Sequence, residues 1–307
     1  MIKKISGILF FILVVIAGIQ GQYSQYMVNG LVINPAYAGS RGVFSLSGCY
    51  KQVWTALPGS PIYQQIGAHM PLKNDRVGLG MVLGSNKEGA YQTMYGSFDY
   101  AYRIHFENSV LSMGIRATAE CKKENFDGLK YDPSDPVFVN NSVFRQNFGF
   151  GVYYYNSRLF AGLSVPGMIT YGMTDTSFTE KLTSFNPVDY HYLATVGVLV
   201  GKGKFKWKPT VLFQYLGLQN DYGLDFNSFF ILFNDKVWLG ASYRTGSKFV
   251  ANQVVGLVEV KVTEQLMIGY AYDYTMGPFS STLSGSHEIY IRFEPVHTIK
   301  AINPRYF

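Results

Sequence analysis

The sequence predicts an all-β transmembrane barrel, antiparallel and of about 14 strands, suited to an outer membrane. Three observations carry this. The chain has 24 Tyr, 23 Phe and 32 Gly in 307 residues with only 15% charged residues, against about 25% in an ordinary soluble domain. Beyond the N-terminus no apolar run approaches the roughly 18 residues of a spanning helix, and a closed barrel is the other structure that satisfies every backbone group in lipid. Hydrophobicity then alternates with a period of two along most of the chain, giving strands with one apolar and one polar face.

Residues 1–21 read as a secretory signal peptide. Lys3 and Lys4 precede the apolar run from Ile8 to Ala17, and Ala17, Gly18 and Gly21 supply the small residues of a cleavage site. An apolar core of about ten residues is short for a bilayer anchor. The mature chain is expected to start near Gln22.

Residues 22–42, QYSQYMVNGLVINPAYAGSRG, are too polar for a membrane helix. Asn34-Pro35 and the glycines interrupt them too often for a central strand. They form a separate N-terminal segment ahead of a barrel at 43–294, and 295–307 form a C-terminal tail.

Fourteen alternating runs follow, at 43–53, 61–70, 76–85, 91–106, 108–120, 145–156, 158–166, 188–201, 204–216, 222–233, 236–245, 251–262, 265–276 and 286–294. In the fourth, Met94, Phe98, Tyr100, Tyr102, Ile104 and Phe106 share one parity, and Thr93, Ser97, Asp99, Arg103 and His105 the other. Leu266, Ile268, Tyr270, Tyr272 and Tyr274 alternate in the same way with Gln265, Gly269, Ala271 and Asp273. Connections after the even-numbered runs are short, as at Glu107-Asn108, Asn156-Ser157 and Lys202-Gly203, and the others are generally longer. That asymmetry belongs to an outer-membrane barrel whose termini lie with the short turns in the periplasm. The competing architecture, a secreted sandwich or propeller, uses shorter strands.

A fourteen-stranded barrel is wider than the eight-stranded one that side chains alone fill, so its lumen is a channel or is occupied by chain. Parity places Asp99, Arg103, Arg116, Glu120, Arg244, Glu259, Lys261, Asp273, Glu288 and Arg292 inside. Charges of both signs can pair around a plug or line a weakly selective pore, and the residues leave both open.

Signatures of catalysis, nucleic-acid binding or cofactor binding are not found. His287-Glu288 opens like a zinc motif, but Ile291 stands where the second His is required. Gly201-Lys202-Gly203-Lys204 is a hairpin turn and not a phosphate loop. Asn125, Asp127, Asp132 and Asp135 read as an ordinary polar loop, and Cys49 and Cys121 as two thiols on differently facing strands.

The segment QYSQYM at Gln22–Met27, followed by NPAYAG at Asn34–Gly39, resembles the start of the PorP/SprF family of type IX secretion proteins. The resemblance continues through Tyr50–Thr55 with Gly59-Ser60-Pro61, Val77-Gly78-Leu79-Gly80, Gly285–Ile289 and the ending Asn303-Pro304-Arg305-Tyr306-Phe307. Lys51, Val53 and Ala56 depart from the family pattern Arg, Gln and Gly.

This resemblance implies a non-enzymatic outer-membrane protein of the Bacteroidota, working with the type IX secretion and gliding machinery. Its implied partners are periplasmic ring or peptidoglycan-binding components, secreted cargo such as an adhesin, and outer-membrane lipid. The runner-up is an outer-membrane porin or solute transporter. Residues 22–42 are then expected to be a periplasmic segment whose Tyr23, Tyr26, Met27, Asn34, Pro35 and Tyr37 dock on the lower rim of the barrel or on a partner. Arg305, Tyr306 and Phe307 are expected to tuck into the periplasmic mouth or bind a partner.

Overall fold

Each alternating run is a strand in the computed structural model, which describes residues 24–27, 29–55, 59–72, 74–126, 141–169, 171–174, 177–182, 186–246, 251–276 and 285–295. The first seven strands are β1 (Ser45–Gln52), β2 (Ile62–Pro71), β3 (Val77–Glu88), β4 (Tyr91–His105), β5 (Ser109–Glu124), β6 (Asn141–Asn156) and β7 (Leu159–Val165). A separate hairpin, β8 (Tyr171–Thr174) with β9 (Ser177–Leu182), interrupts the series. The wall resumes with β10 (His191–Val198), β11 (Val200–Lys202), β12 (Phe205–Leu216), β13 (Asp221–Leu232), β14 (Val237–Thr245), β15 (Ala251–Lys261), β16 (Leu266–Thr275) and β17 (Ser286–Phe293).

Sequential strands pair antiparallel all round the wall, and β1 closes it on β17, with Leu46 opposite Phe293 and Gln52 opposite His287. β10 and β11 pair in turn with β12 and form one strand broken at Leu199, so the wall has the expected fourteen strands. The break turns the Leu199 amide to the Arg158 carbonyl at 2.6 Å. Hairpin β8–β9 was not legible, because its short runs YGMT and SFTEKL do not alternate clearly. Strands β5 and β6 also extend further into the 121–144 connection than the alternation suggested.

Parity decides what each face meets. Ile66, Met81, Leu83, Phe98, Ile115, Leu163, Phe226, Ile268 and Ile291 point outward and form an apolar belt around the barrel. Asp99, Arg116, Asp225, Glu259, Asp273 and Glu288 point inward and are buried. Burial there requires that something fill the lumen, and the filling is the chain's own residues 24–42.

The position of this segment differs from its sequence-based placement beneath the barrel. Leu31, Ala36, Tyr37 and Ala38 are buried against wall residues Val82, Ala101, Tyr153, Phe160, Leu212 and Tyr290 in one apolar cluster. This is the core of the molecule. The segment reaches β1 through Gly39 and Gly42, both at positive φ (75° and 71°), where a side chain is disfavoured.

Ile115 is 58% exposed on the outer face and Arg116 beside it points inward. Ile115→Arg should destabilise the membrane-inserted barrel by about 2–4 kcal/mol, the cost of an Arg on the lipid face near the bilayer midplane. Urea unfolding in lipid vesicles measures it, and an unchanged midpoint would contradict this assignment of faces.

Candidate functional site

Residues 24–42 are built from short turns, as their sequence requires. Three one-turn 3-10 helices cover Ser24–Met27, Gly30–Val32 and Pro35–Tyr37. The Asn34 side chain caps the third by accepting from the Ala36 amide at 2.9 Å, and Pro35 supplies a fixed φ at the first position. Gly30 lets the Tyr37 ring fold back over the second turn, since a Cβ there would stand 2.6 Å from Tyr37 Cδ2.

The wall is shaped to receive this turn. Gly78, Ala101, Gly114, Gly151 and Ser164 lie in register on five successive strands, each the cross-strand partner of the next. A Cβ on Gly78 would fall 2.0 Å from the Ala38 carbonyl oxygen, one on Gly114 2.4 Å from the Ala36 amide, and one on Gly151 2.1 Å from Asn34 Oδ1. None of these is a contact a real Cβ could hold, so the backbone of Asn34–Gly39 lies directly on the sheet.

Polar contacts fix the rest of its path. Asn34 Nδ2 donates to the Val152 and Leu163 carbonyls at 3.0 and 3.3 Å, and Ser164 Oγ to the Ile33 carbonyl at 2.6 Å. Arg116, paired with Asp99, also donates to the Leu31 and Val32 carbonyls. Across the lumen, Lys208 Nζ donates to the Met27 carbonyl at 3.0 Å and the Tyr26 hydroxyl to Asp225 at 3.0 Å. Ser24 Oγ donates to Asp273 at 2.9 Å and the Ser24 amide to Glu288 at 2.8 Å, beside Lys51. With Ser47 of β1 accepting from Asn29, eight wall strands thus hold this part of the segment through hydrogen bonds, several to charged groups, which are the stronger kind.

At the short-turn end the segment is latched. The Gly39 amide donates to His69 Nδ1 at 3.1 Å, so that nitrogen carries the lone pair. Arg41 pairs with Glu294, just past β17, including an Nη2 to Oε2 contact of 3.2 Å. Burial alone would raise the Glu294 carboxyl, but the Arg41 and Arg292 guanidiniums outweigh it and hold it well below the usual carboxylate range.

The structure therefore brings Tyr26, Met27, Asn34, Pro35 and Tyr37 together, but inside the lumen and on intramolecular partners, where they present no docking surface. Tyr23, Arg305, Tyr306 and Phe307 lie outside the described residues. Of the charges assigned inward, Asp99, Arg103, Arg116, Arg244, Glu259, Asp273, Glu288 and Arg292 are buried. Glu120 and Lys261 lie towards the strand ends, part-exposed and paired with Arg145 and Glu264.

Sequence reasoning missed Lys51, His69, Lys208 and Asp225, all buried in the wall. Lys208 and Asp225 sit on β12 and β13, whose inward rows also carry Leu212, Phe229 and Ile231, so the polar face loses its contrast. Cys49 and Cys121 are both free thiols, with Cys49 Sγ 3.2 Å from Glu288 and Cys121 Sγ 3.5 Å from Ser142 Oγ.

Residues 15–293 match the family model described as "Type IX secretion system membrane protein PorP/SprF". The chain belongs to the PorP/SprF family. It is an outer-membrane β-barrel of that family, and the lumen segment contains Asn34–Gly39, one of the motifs by which the sequence resembles it. A comparison with curated protein sequences gives no match.

Among solved structures, the chain is similar in fold to the CymD monoaromatic hydrocarbon channel, with a TM-score of 0.55 at 9% identity over 92% of this chain and 95% of that one. It is also similar to the Acinetobacter baumannii outer membrane protein Omp33, with a TM-score of 0.50 at 8% identity over 82% and 97% of the two chains. At such identities the likeness concerns the barrel alone.

Gly151→Val should prevent Asn34 from seating and lose its hydrogen bonds, each worth about 1 kcal/mol net. Limited proteolysis of the folded barrel should then cut within residues 24–42, where the parent protein resists. Equal resistance of the two proteins would show that the segment does not rest on Gly151.

Proposed function

We propose that this PorP/SprF protein is a non-enzymatic component of the type IX secretion and gliding machinery. It supports export or surface attachment of cargo through protein contacts, and its barrel serves as an anchored platform. The observation that carries this reading over a porin or solute transporter is the lumen, which the chain's own residues 24–42 fill and bond to the wall on several sides.

The machine contacts lie outside the lumen in this reading. The short turns and the Arg41–Glu294 latch face the periplasm, as the asymmetry of turn lengths suggests. Ring or peptidoglycan-bound components meet the barrel there, and secreted cargo meets the long connections on the opposite end. The N-terminal motif residues act through the wall by keeping the barrel closed and rigid, and do not themselves bind a partner.

Affinity purification from native outer membranes in mild detergent, followed by mass spectrometry, tests the role. Type IX ring components or large secreted cargo should co-purify, and the purified barrel should give no steady conductance in a planar bilayer at low voltage. A barrel that purifies alone and conducts steadily would replace this reading with the porin one.

A further inference from the structure

The wall around the plug is not built as a permanent interior. Its charges pair chiefly with each other, as in Arg116 with Asp99, Arg244 with Asp225 and Lys51 with Asp273. Removing residues 24–38 would leave these pairs intact and facing water. The plug meets the wall through backbone carbonyls at Met27, Leu31, Val32 and Ile33 and through the uncharged polar side chains of Ser24, Tyr26, Asn29 and Asn34, whose hydrogen bonds water can replace at little cost.

Among the described residues, one charged wall group has no hydrogen-bond partner while the plug is seated. Glu259 is fully buried, and neither carboxylate oxygen has a hydrogen bond. Such a group is costly to bury, by several kcal/mol as an order of magnitude. Its cross-strand neighbour is Trp238, and Lys208 Nζ stands 5.5 Å from the Trp238 ring centroid while donating to the Met27 carbonyl. Arg292, Lys208 and Arg41 all act electrostatically on Glu259, yet none is hydrogen-bonded to it, and Lys208 is the one of them that bonds a plug carbonyl.

From this geometry we propose that residues 24–38 are a releasable plug over a latent ion-conducting pore, and that Glu259 accepts Lys208 when Met27 leaves. The exchange replaces a lysine–carbonyl bond by a lysine–carboxylate one and satisfies a buried charge, so the wall itself favours release. The closed state persists because Asn34–Gly39 keeps its seat on the glycine row. Movement is hinged at Gly39 and Gly42, beside the Arg41–Glu294 latch, which holds the base of the plug to the rim. The pore, lined by both signs of charge, would pass small hydrophilic ions with weak selectivity. This proposal rests on lumen geometry and is independent of the role in secretion.

The test is single-channel recording with potassium chloride in planar bilayers. A variant lacking residues 24–38 should conduct steadily, and the parent protein should show brief openings of the same conductance only at high voltage. Asn34→Cys with Gly151→Cys locks the plug: the Cβ of residue 151 falls 3.0 Å from Asn34 Cγ, the position of the new sulfur, and a disulfide spans that distance. With Cys49→Ala and Cys121→Ser, this protein should open when reduced and stay shut when oxidised, reversibly.

Glu259→Leu should make openings of the full-length barrel roughly tenfold rarer, the worth of one hydrogen bond to a charged group, without changing their size. Reduced and oxidised forms that behave alike would overturn the proposal, even if the deletion variant does not fold. A folded deletion variant that fails to conduct would overturn it as well. Unchanged opening frequency in Glu259→Leu would remove Glu259 from the mechanism.

Discussion

The structure depends on one steric constraint: five neighbouring strands present no bulky side chain at the same height of the lumen. Gly78, Ala101, Gly114, Gly151 and Ser164 form that row, and the turn Asn34–Gly39 lies on it at backbone contact. Close packing gives the turn its stability, because interiors lose contact energy for every gap left between surfaces. Polar anchors on the rest of the wall then have only to orient a segment whose position is already fixed. A larger residue in the row would displace the segment, expose the buried charges of the wall and leave the apolar cluster around Leu31 and Tyr37 without its centre.

The same constraint explains why the barrel interior resembles the core of a soluble domain. A fourteen-stranded wall encloses more space than its own side chains fill. Tyr153, Tyr155, Phe160, Phe229, Trp238 and Tyr290 reach inward and fill part of it, and the plug fills more. The hydrogen bonds between the plug and charged wall groups at Arg116, Lys208, Asp225, Asp273 and Glu288 contribute little net stability when compared with apolar packing, but they are costly to leave unmade. They therefore fix the register of the plug more than they strengthen the barrel.

Most of the wall was legible in the sequence, because a lipid-facing residue and a lumen-facing one must differ in polarity wherever the lumen is polar. β4, β5, β16 and β17 follow that rule closely. The rule fails at β12 and β13, where Leu212, Phe229 and Ile231 face an apolar filling, and there Lys208 and Asp225 went unnoticed. The motif residues Asn34–Gly39 were recognisable as a turn, yet their place inside the barrel was not. That place depends on glycines in β3, β5 and β6 and on Ser164 in β7, more than a hundred residues away in β6 and β7, whose common height appears only once the strand register is known. Val77-Gly78-Leu79-Gly80 opens β3, and its glycines also form part of the seat for the plug.

The most direct test of the account is hydrogen–deuterium exchange of the amides of residues 36–40, measured on the protein in native-like lipid. The Ala36 amide is bonded to Asn34 Oδ1, the Gly39 amide to His69 Nδ1, and those of Tyr37, Ala38 and Ser40 to carbonyls within the turn, all inside the lumen. The account predicts exchange as slow as in the neighbouring wall strands. Exchange at the rate of an unstructured peptide would show that the segment is not seated, and would contradict the filled lumen on which the rest depends.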